Sequence, residues 1–255
     1  MNTSIEKSAP ETGFRRDPEK ALELVRVGRQ QMRLFDLEGY EAAVVNLIQA
    51  IQTDPECSLA HASLAETYSY WGFRRELNGQ ECISYYGLSL DSAAQALQLA
   101  PESAYSHRAM AVALRRGAAK DPQRRKDEIS RALNIDSNDA ESWHENWRAF
   151  GYDPGEPSIH RALELDPLLC AAHIDLGVAL CEDGRIKESM DELAIALKLC
   201  PRNSLAHYDL AMVLDRHGRT DVAVKLLGRA QTLHPGDPLI TSGIMLLKGE
   251  AYAAQ

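Results

Sequence analysis

The feature that most constrains this chain is a short phrase that keeps returning. QAIQTDP (49–55), QALQLAP (95–101), RALNIDS (131–137), RALELDP (161–167), LKLCP (197–201) and RAQTLHP (229–235) are variants of one pattern. It closes at Pro55, Pro101, Ser137, Pro167, Pro201 and Pro235. The last two intervals are regular, the first is the longest, and the one ending at Pro167 is the shortest. A period of about 20 to 50 residues is the signature of a repeat architecture, in which each unit buries its apolar face against its neighbours.

Each phrase closes a helical pattern of alternating small and large residues. Counting back from the proline gives Ala43/Leu47/Ala50, Ser89/Ala93/Ala96, Ser189/Leu193/Ala196 and Ala223/Leu227/Ala230. Steps of four and three residues put these side chains on one helix face, with the small residue where another helix can come close. Proline then stops the helix, having no N–H and restricting the residue before it. A second helical pattern precedes each of these: His61/Leu64/Ala65/Tyr68, His107/Met110/Ala111/Leu114, Trp143/Asn146/Trp147/Phe150, His173/Leu176/Gly177/Leu180 and His207/Leu210/Ala211/Leu214. A weaker first copy reads Val27/Gln30/Gln31/Leu34. Between the two helices lie turns such as 182–185 and 216–219, where Gly184 and Gly218 supply the left-handed conformation of a helix end.

Helix–turn–helix units of about 34 residues with this small/large pattern and a closing proline resemble tetratricopeptide (TPR) repeats. The resemblance implies an all-α fold, a right-handed α-solenoid. Its units are expected at about 24–57, 58–103 with an insertion, 104–139, 140–169 in shortened form, 170–203 and 204–237. An apolar helix over 238–254 reads as the cap that shields the last hydrophobic face. Residues 1–16 read as a disordered tail, Asp17-Pro18 as a helix start, and 17–255 as one superhelical domain.

Departures from the period mark what is particular to this chain. The second unit overruns the period by roughly a dozen residues, and the surplus falls near 71–80. Insertions in repeat arrays map to loops, often on a binding face. Trp71, Phe73, Arg74 and Arg75 then read either as interface anchors or as aromatics tucked under a long following helix with solvated arginines. The third unit holds six basic residues against one acid over 115–126, a solvated loop or a dock for an acidic partner. The fourth is four residues short, with Gly151, Pro154, Gly155 and Pro157 cutting into its second helix.

Catalytic and metal chemistry find little support. Glu164 and Asp166 in RALELDP are two apart on a helix and face different sides, and sister phrases replace both. His61, His107, His173 and His207 recur at equivalent positions, about 10 Å apart, whereas one metal needs ligands at about 2 Å. They read as structural, and no metal or cofactor is expected. His144-Glu145 lacks the second histidine of a zinc-protease helix, and no phosphate-binding glycine loop or serine elbow appears. Cys57, Cys82, Cys170, Cys181 and Cys200 form no CxxC pair and read as reduced thiols of a cytoplasmic protein. The start of the chain has no signal-like apolar core, and no run approaches the ~18 apolar residues of a membrane span. The net charge of −9, with −2 over 1–137 and −7 over 138–255, argues against nucleic acid.

The resemblance implies a concave groove lined by the first helix of each unit, holding an extended peptide or a partner helix. Gly28, Met32, Phe35, Glu66, Tyr70, Arg108, Arg115, His144, Arg148, Ile174, Tyr208 and Met212 are the residues expected there. Arg108, Arg115 and Arg148 form a basic centre suited to a carboxylate or acidic segment. The Lys/Asn clamp of chaperone-tail binders is absent, since its matching places read Gly28, Met32, Ser63, Tyr105 and Ala109. The expected role is a non-enzymatic protein-interaction adaptor. The alternative is a structural subunit of a complex, or a self-assembling scaffold using the convex face or the ends. The oligomeric state stays open.

Overall fold

The computed structural model describes residues 16–117 and 120–249. The expected tail up to residue 15, the last residues of the expected cap and two residues of the basic stretch lie outside them. Among the described residues there are thirteen helices and no strand. The helices come in consecutive pairs: α1 (Pro18–Met32) with α2 (Leu37–Thr53), α3 (Ser58–Leu77) with α4 (Ile83–Leu99), and α5 (Ala104–Ala113) with α6 (Pro122–Ile135). Then come α7 (Ala140–Phe150) with α8 (Pro157–Leu165), α9 (Cys170–Glu182) with α10 (Ile186–Leu199), and α11 (Ser204–Arg216) with α12 (Thr220–Leu233). The last, α13 (Pro238–Lys248), packs on both α11 and α12.

Helix starts are written in short polar–proline signals. Asp17, Asp121 and Asp237 each precede a proline and accept a hydrogen bond from a first-turn N–H at 3.0 Å. Proline costs nothing in the first turn, because its missing N–H has no partner there anyway. At the other end, the aspartates before the closing positions accept from the backbone two residues on. Asp136 accepts from the Asn138 N–H at 2.9 Å and Asp166 from that of Leu168 at 3.0 Å. In RALELDP, then, Asp166 shapes a turn, while Glu164 meets only Arg161 on the surface at 3.1 Å.

The first and fifth pairs are locked by a glycine facing a leucine. A Cβ placed on Gly28 would stand 2.8 Å from Leu47 Cγ, and one on Gly177 only 2.6 Å from Leu193 Cγ. Leu47, Leu193 and Leu227 are fully buried, each burial contributing about 1.5–3 kcal/mol. Because Leu47 and Leu193 hold the same place relative to their closing prolines, Gly28 is the equivalent of Gly177. This corrects the register expected for the first unit. Its helix reads Leu24/Val27/Gly28/Gln31, three residues earlier than Val27/Gln30/Gln31/Leu34, and the groove positions move with it.

The recurring histidines also have a structural part to play. The Nε2 atoms of His61, His107 and His173 lie 3.2, 2.8 and 3.1 Å from the carbonyl oxygens of Pro55, Pro101 and Pro167. In the fourth unit Trp143 takes this place and donates its indole N–H to the Ser137 carbonyl at 2.9 Å. A ring N–H six residues downstream of the closing position thus ties the second helices of the first four units to the unit that follows. His207 differs, its Nδ1 meeting the Asn203 carbonyl at 3.0 Å.

The surplus of the second unit is not a loop. α3 runs 20 residues without interruption, so Trp71, Phe73, Arg74 and Arg75 all lie on its last turns. Gly72 lets Tyr86 of α4 come close, and the Tyr86 hydroxyl donates to Glu76 at 2.6 Å. Arginines in the last turn, Arg74 and Arg75, complement the helix C-terminus, and the packing of Tyr86 against Gly72 continues the contact between α3 and α4. The basic stretch is likewise partly helical: Pro122 opens α6, Arg125 pairs with Glu145 at 2.6 Å, and Lys126 sits over the Phe150 ring.

Candidate functional site

The first helices of the pairs do line the inside of the superhelix, but the inside is not an open basic groove. Arg108 is 1% exposed and already holds three carboxylates: Glu66 at 2.7 Å, Glu141 at 2.7 Å and Asp139. Glu141 is shared with Arg29 at 2.9 Å and Arg33 at 2.7 Å, both on α1 or its end. Burial opposes the Glu141 charge, yet Arg108, Arg29 and Arg33 outweigh it and hold this carboxyl well below the usual range. Tyr105 lies between two of these cations, 4.8 Å from the Arg108 guanidinium and 5.2 Å from that of Arg29.

A second network sits further along the interior. Arg148 pairs with Asp175 at 2.5 Å, and His144 Nε2 lies 3.0 Å from the same carboxylate. Glu145 is met by Arg125 at 2.6 Å and by Arg115 and Arg148 at 3.5 Å each. Burial pushes the Glu145 carboxyl up, but these three arginines pull it down to about 2. Burial first and Arg148 second lower the His144 pKa, with Asp175 opposing them. The basic centre expected from Arg108, Arg115 and Arg148 therefore corresponds to two internal ion-pair networks, with acids from this chain taking the place expected of a partner.

The interior is also drawn together across its width. The turn between α1 and α2 reaches the far units: Phe35, at φ +56°, packs into the cluster with Cys170 and Ile174. Beside it, Arg202 pairs with Asp36 at 3.0 Å and Glu38 at 3.4 Å. The added turns of α3 make a second crossing. Arg74 is 4% exposed, donates to Ser204 Oγ at 2.7 Å, and pairs with Asp237, the capping residue of α13. The residues of the surplus thus divide: Trp71 packs edge-on to Tyr85 at 4.9 Å, Arg75 stacks over the same ring, and Arg74 spans the interior.

Between these crossings lies a cavity of about 690 Å³, with a smaller one of about 200 Å³ beside it. Tyr70, Phe73, Tyr152 and Tyr208 contribute rings to the large one, and Arg74, Arg115, Arg116 and Arg148 contribute guanidinium groups. Of the expected groove residues, Phe35, Tyr70, Arg115, Arg148, Ile174 and Tyr208 line it. Glu66, Arg108, His144 and Met32 line the smaller one, and Phe35 and Tyr70 belong to both. Met212 lies instead in the cluster under α13, and Gly28 is consumed by the contact with Leu47. Arg29, Arg33, Arg116, Glu141, Tyr152 and Asp209 belong to the interior without being among the residues expected there. The corrected register of the first unit points to the two α1 arginines, which stand one and five positions past Gly28. Asp209 is the outlier in charge: burial and nearby Asp175 push its carboxyl up to about 7, with Arg74 pulling the other way.

Among the described residues no cluster of three or more His, Cys, Asp or Glu side chains is placed to hold a metal ion. No described helix is long and apolar enough to cross a membrane.

Paired helices, closing residues tied to the next unit and a terminal apolar helix give this chain an α-solenoid fold like that of tetratricopeptide-repeat structures. The chain matches no family profile and no curated protein sequence. Among solved structures it is similar to the human IFIT1 dimer with m7Gppp-AAAA, at 18% identity and a TM-score of 0.70 over 91% of this chain and 54% of that one. The APC/C hetero-tetramer Cut9-Hcn1 is 15% identical with a TM-score of 0.61, over 91% of this chain and 44% of that one. Pseudomonas aeruginosa pilF is 14% identical with a TM-score of 0.52, over 91% of this chain and 98% of that one. The chain thus spans about half the length of the IFIT1 structure, and at these identities the likeness is one of fold.

Proposed function

We propose that the protein is a non-enzymatic interaction adaptor that takes a segment of a partner protein into its interior channel. The observation that carries this reading is the cavity of about 690 Å³ lined by tyrosine, phenylalanine and arginine side chains on successive first helices. Rings with a polar edge and guanidinium forks are the side chains that anchor protein–protein contacts, and a concave site of this size fits a short extended segment. The ionised groups in the interior are mostly committed to one another, which suits rigid presentation of a surface.

The IFIT1 structure holds a capped RNA, and an RNA reading of this chain has to be weighed. A net charge of −9 opposes it, as do Asp175, Glu182 and Asp209 in the lining of the same cavity. A protein segment with isolated charges tolerates such a mixed lining far better than a phosphate backbone does.

The test is to fill the channel without touching its charges. Val178 lines the large cavity from α9, and Val178→Trp is expected to abolish capture of the native partner while leaving the helical circular-dichroism signal unchanged. Undiminished capture by a folded Val178→Trp chain overturns the channel reading. Light scattering on the eluted chain separates the alternative: concentration-dependent oligomers favour a self-assembling scaffold that uses the convex face or the ends.

A further inference from the structure

Two thiols meet where the two helices of the fifth unit pack on each other. Cys170 opens α9 and Cys200 caps the end of α10, and antiparallel packing brings the start of one helix to the end of the other. The Cys170 sulfur lies 3.6 Å from the Ala196 carbonyl oxygen, one turn before Cys200, and the two thiols are hydrogen-bonding neighbours. Both line the smaller cavity, of about 200 Å³. Cys170 is buried, whereas Cys200 keeps part of its surface open to a small reagent. The other thiols have no such partner near them. Cys57 belongs to the cluster of the first two units, Cys82 precedes α4, and Cys181 lies towards the far end of α9, roughly 16 Å from Cys170.

The pair is asymmetric in a way that suits exchange chemistry. The thiolate is the attacking species, and in a hydrogen-bonded pair one sulfur holds the charge while the other keeps the proton. The proton stays with Cys170, whose pKa is pushed up first by Cys200 and then by burial. That of Cys200 is lowered, first by the hydrogen bond from Cys170 and further by the Arg33 charge, with burial opposing. Cys200 is thus the attacking sulfur. Cys170 is the resolving one, and its place in the first turn of α9 favours its own thiolate once Cys200 has reacted. The pair also lies under the α1–α2 turn. Cys200 Sγ is 4.0 Å from the Arg33 carbonyl oxygen, Phe35 packs in the same cluster as Cys170, and Arg202 holds Asp36 and Glu38.

We propose that Cys170 and Cys200 are a redox modification site, converted to a disulfide by a small disulfide oxidant such as oxidised glutathione, and that the new bond loosens the crossing made by the α1–α2 turn. The Cys200 thiolate attacks one glutathione sulfur, forming a mixed disulfide and releasing one glutathione thiolate. The Cys170 thiolate then attacks the Cys200 sulfur, closing the protein disulfide and expelling the second glutathione thiolate. The two protein thiol protons end on the two glutathiones, and two electrons pass from the protein to the oxidant. In the bond the sulfurs stand about 2.05 Å apart, far closer than hydrogen-bonded thiols. Cys170 is held in the core cluster, so Cys200 at the helix end is the residue that shifts. It moves away from the Arg33 carbonyl and takes Arg202, two residues on, with it.

The experiment incubates the reduced full chain with oxidised glutathione, blocks the remaining thiols and maps the peptides by mass spectrometry. The parent is expected to lose two of its five thiols and to yield a linked Cys170–Cys200 peptide that dithiothreitol reverses. Cys170→Ser is expected to stop at a mixed disulfide on Cys200. Cys200→Ser should react at Cys170 at least about tenfold more slowly than the parent does at Cys200. If Cys170→Ser loses its helical signal, the parent and Cys200→Ser carry the test. Hydrogen exchange reads the consequence: amides of 34–40 are expected to exchange at least about threefold faster in the oxidised parent, with no change in Cys200→Ser given the same treatment. No reaction in the parent, a mixed disulfide that persists there, or links among other cysteines in place of this one overturns the site. A Cys170–Cys200 bond with unchanged exchange over 34–40 overturns the loosening of the crossing.

Discussion

The fourth and fifth units are built to the same plan and solve one packing problem in opposite ways. In the fifth, Gly177 on α9 leaves room for Leu193 of α10, with no space for even one carbon more. In the fourth, the equivalent position is Trp147, fully buried, with its indole N–H donated to the Asp153 carbonyl at 2.6 Å. The reason lies in the partner helix. α10 has 14 residues and α8 only nine, so the place held by Ser189 in the fifth unit falls to Gly155, ahead of the start of α8. Volume that a helical turn occupies in one unit is occupied by a side chain in the other. A repeat can therefore lose a turn without losing density, provided a large residue takes the vacated space.

That equivalence can be broken by mutation. Trp147→Ala removes the substitute for the missing turn and should cost about 3–5 kcal/mol, read as a fall in the urea midpoint at unchanged slope. A loss below about 1 kcal/mol would mean the fourth unit is loosely packed. Arg74→Ala tests the crossing made by the long second unit. It strands Asp237 and should cost about 3 kcal/mol, whereas Arg74→Met with Asp237→Asn should recover most of that. Gly177→Ala asks the fifth unit to accept what the fourth is built around, a side chain where the helices touch. With a Cβ 2.6 Å from Leu193 Cγ it should cost about 1–3 kcal/mol.

The interior also gives a pH signature that the surface does not. A carboxyl whose folded pKa is raised binds its proton more tightly in the folded state. Asp209, pushed up to about 7, thus favours folding below its ordinary value of about 4, and that contribution is lost as pH climbs from about 4 to about 7. Melting temperatures at pH 5 and pH 8 should differ less for Asp209→Asn than for the parent, with the variant the more stable of the two at pH 8. An unchanged difference would remove the assignment. At the low end, Arg161→Ala with Glu164→Ala in the RALELDP phrase should stay within about 0.5 kcal/mol, because that pair lies in water on the surface.

Much of the architecture is legible because periodicity and small/large alternation are local. Ala43, Leu47 and Ala50, or Ser189, Leu193 and Ala196, announce a buried face without reference to anything distant. What is not legible depends on which far segment a side chain meets. Arg108 reads as a free cation in sequence, and only the fold brings Glu66 to it from the unit before, Asp139 from the cap of α7 and Glu141 from the unit after. The surplus in the second unit reads as a loop because its residues are aromatic and basic. Lengthening two neighbouring helices together satisfies every backbone hydrogen bond and exposes fewer of those rings. The first-unit register slips because Gly28 is the marker, and a pattern anchored on Gln31 falls one turn late.

A solenoid is ordinarily a line, each unit knowing only its neighbours, so that it can fray from one end while the other persists. The bond from Arg74 to Asp237 joins positions 163 residues apart, and that from Arg202 to Asp36 spans 166. These contacts turn the line into something nearer a closed ring. Opening at the last unit should then loosen the first two, and amides of α1 and α11 should exchange with similar protection in place of a gradient along the chain. Closing so large a loop is entropically slow, so assembly should finish late, after the separate pairs have formed, with the crossing of α3 among its last events.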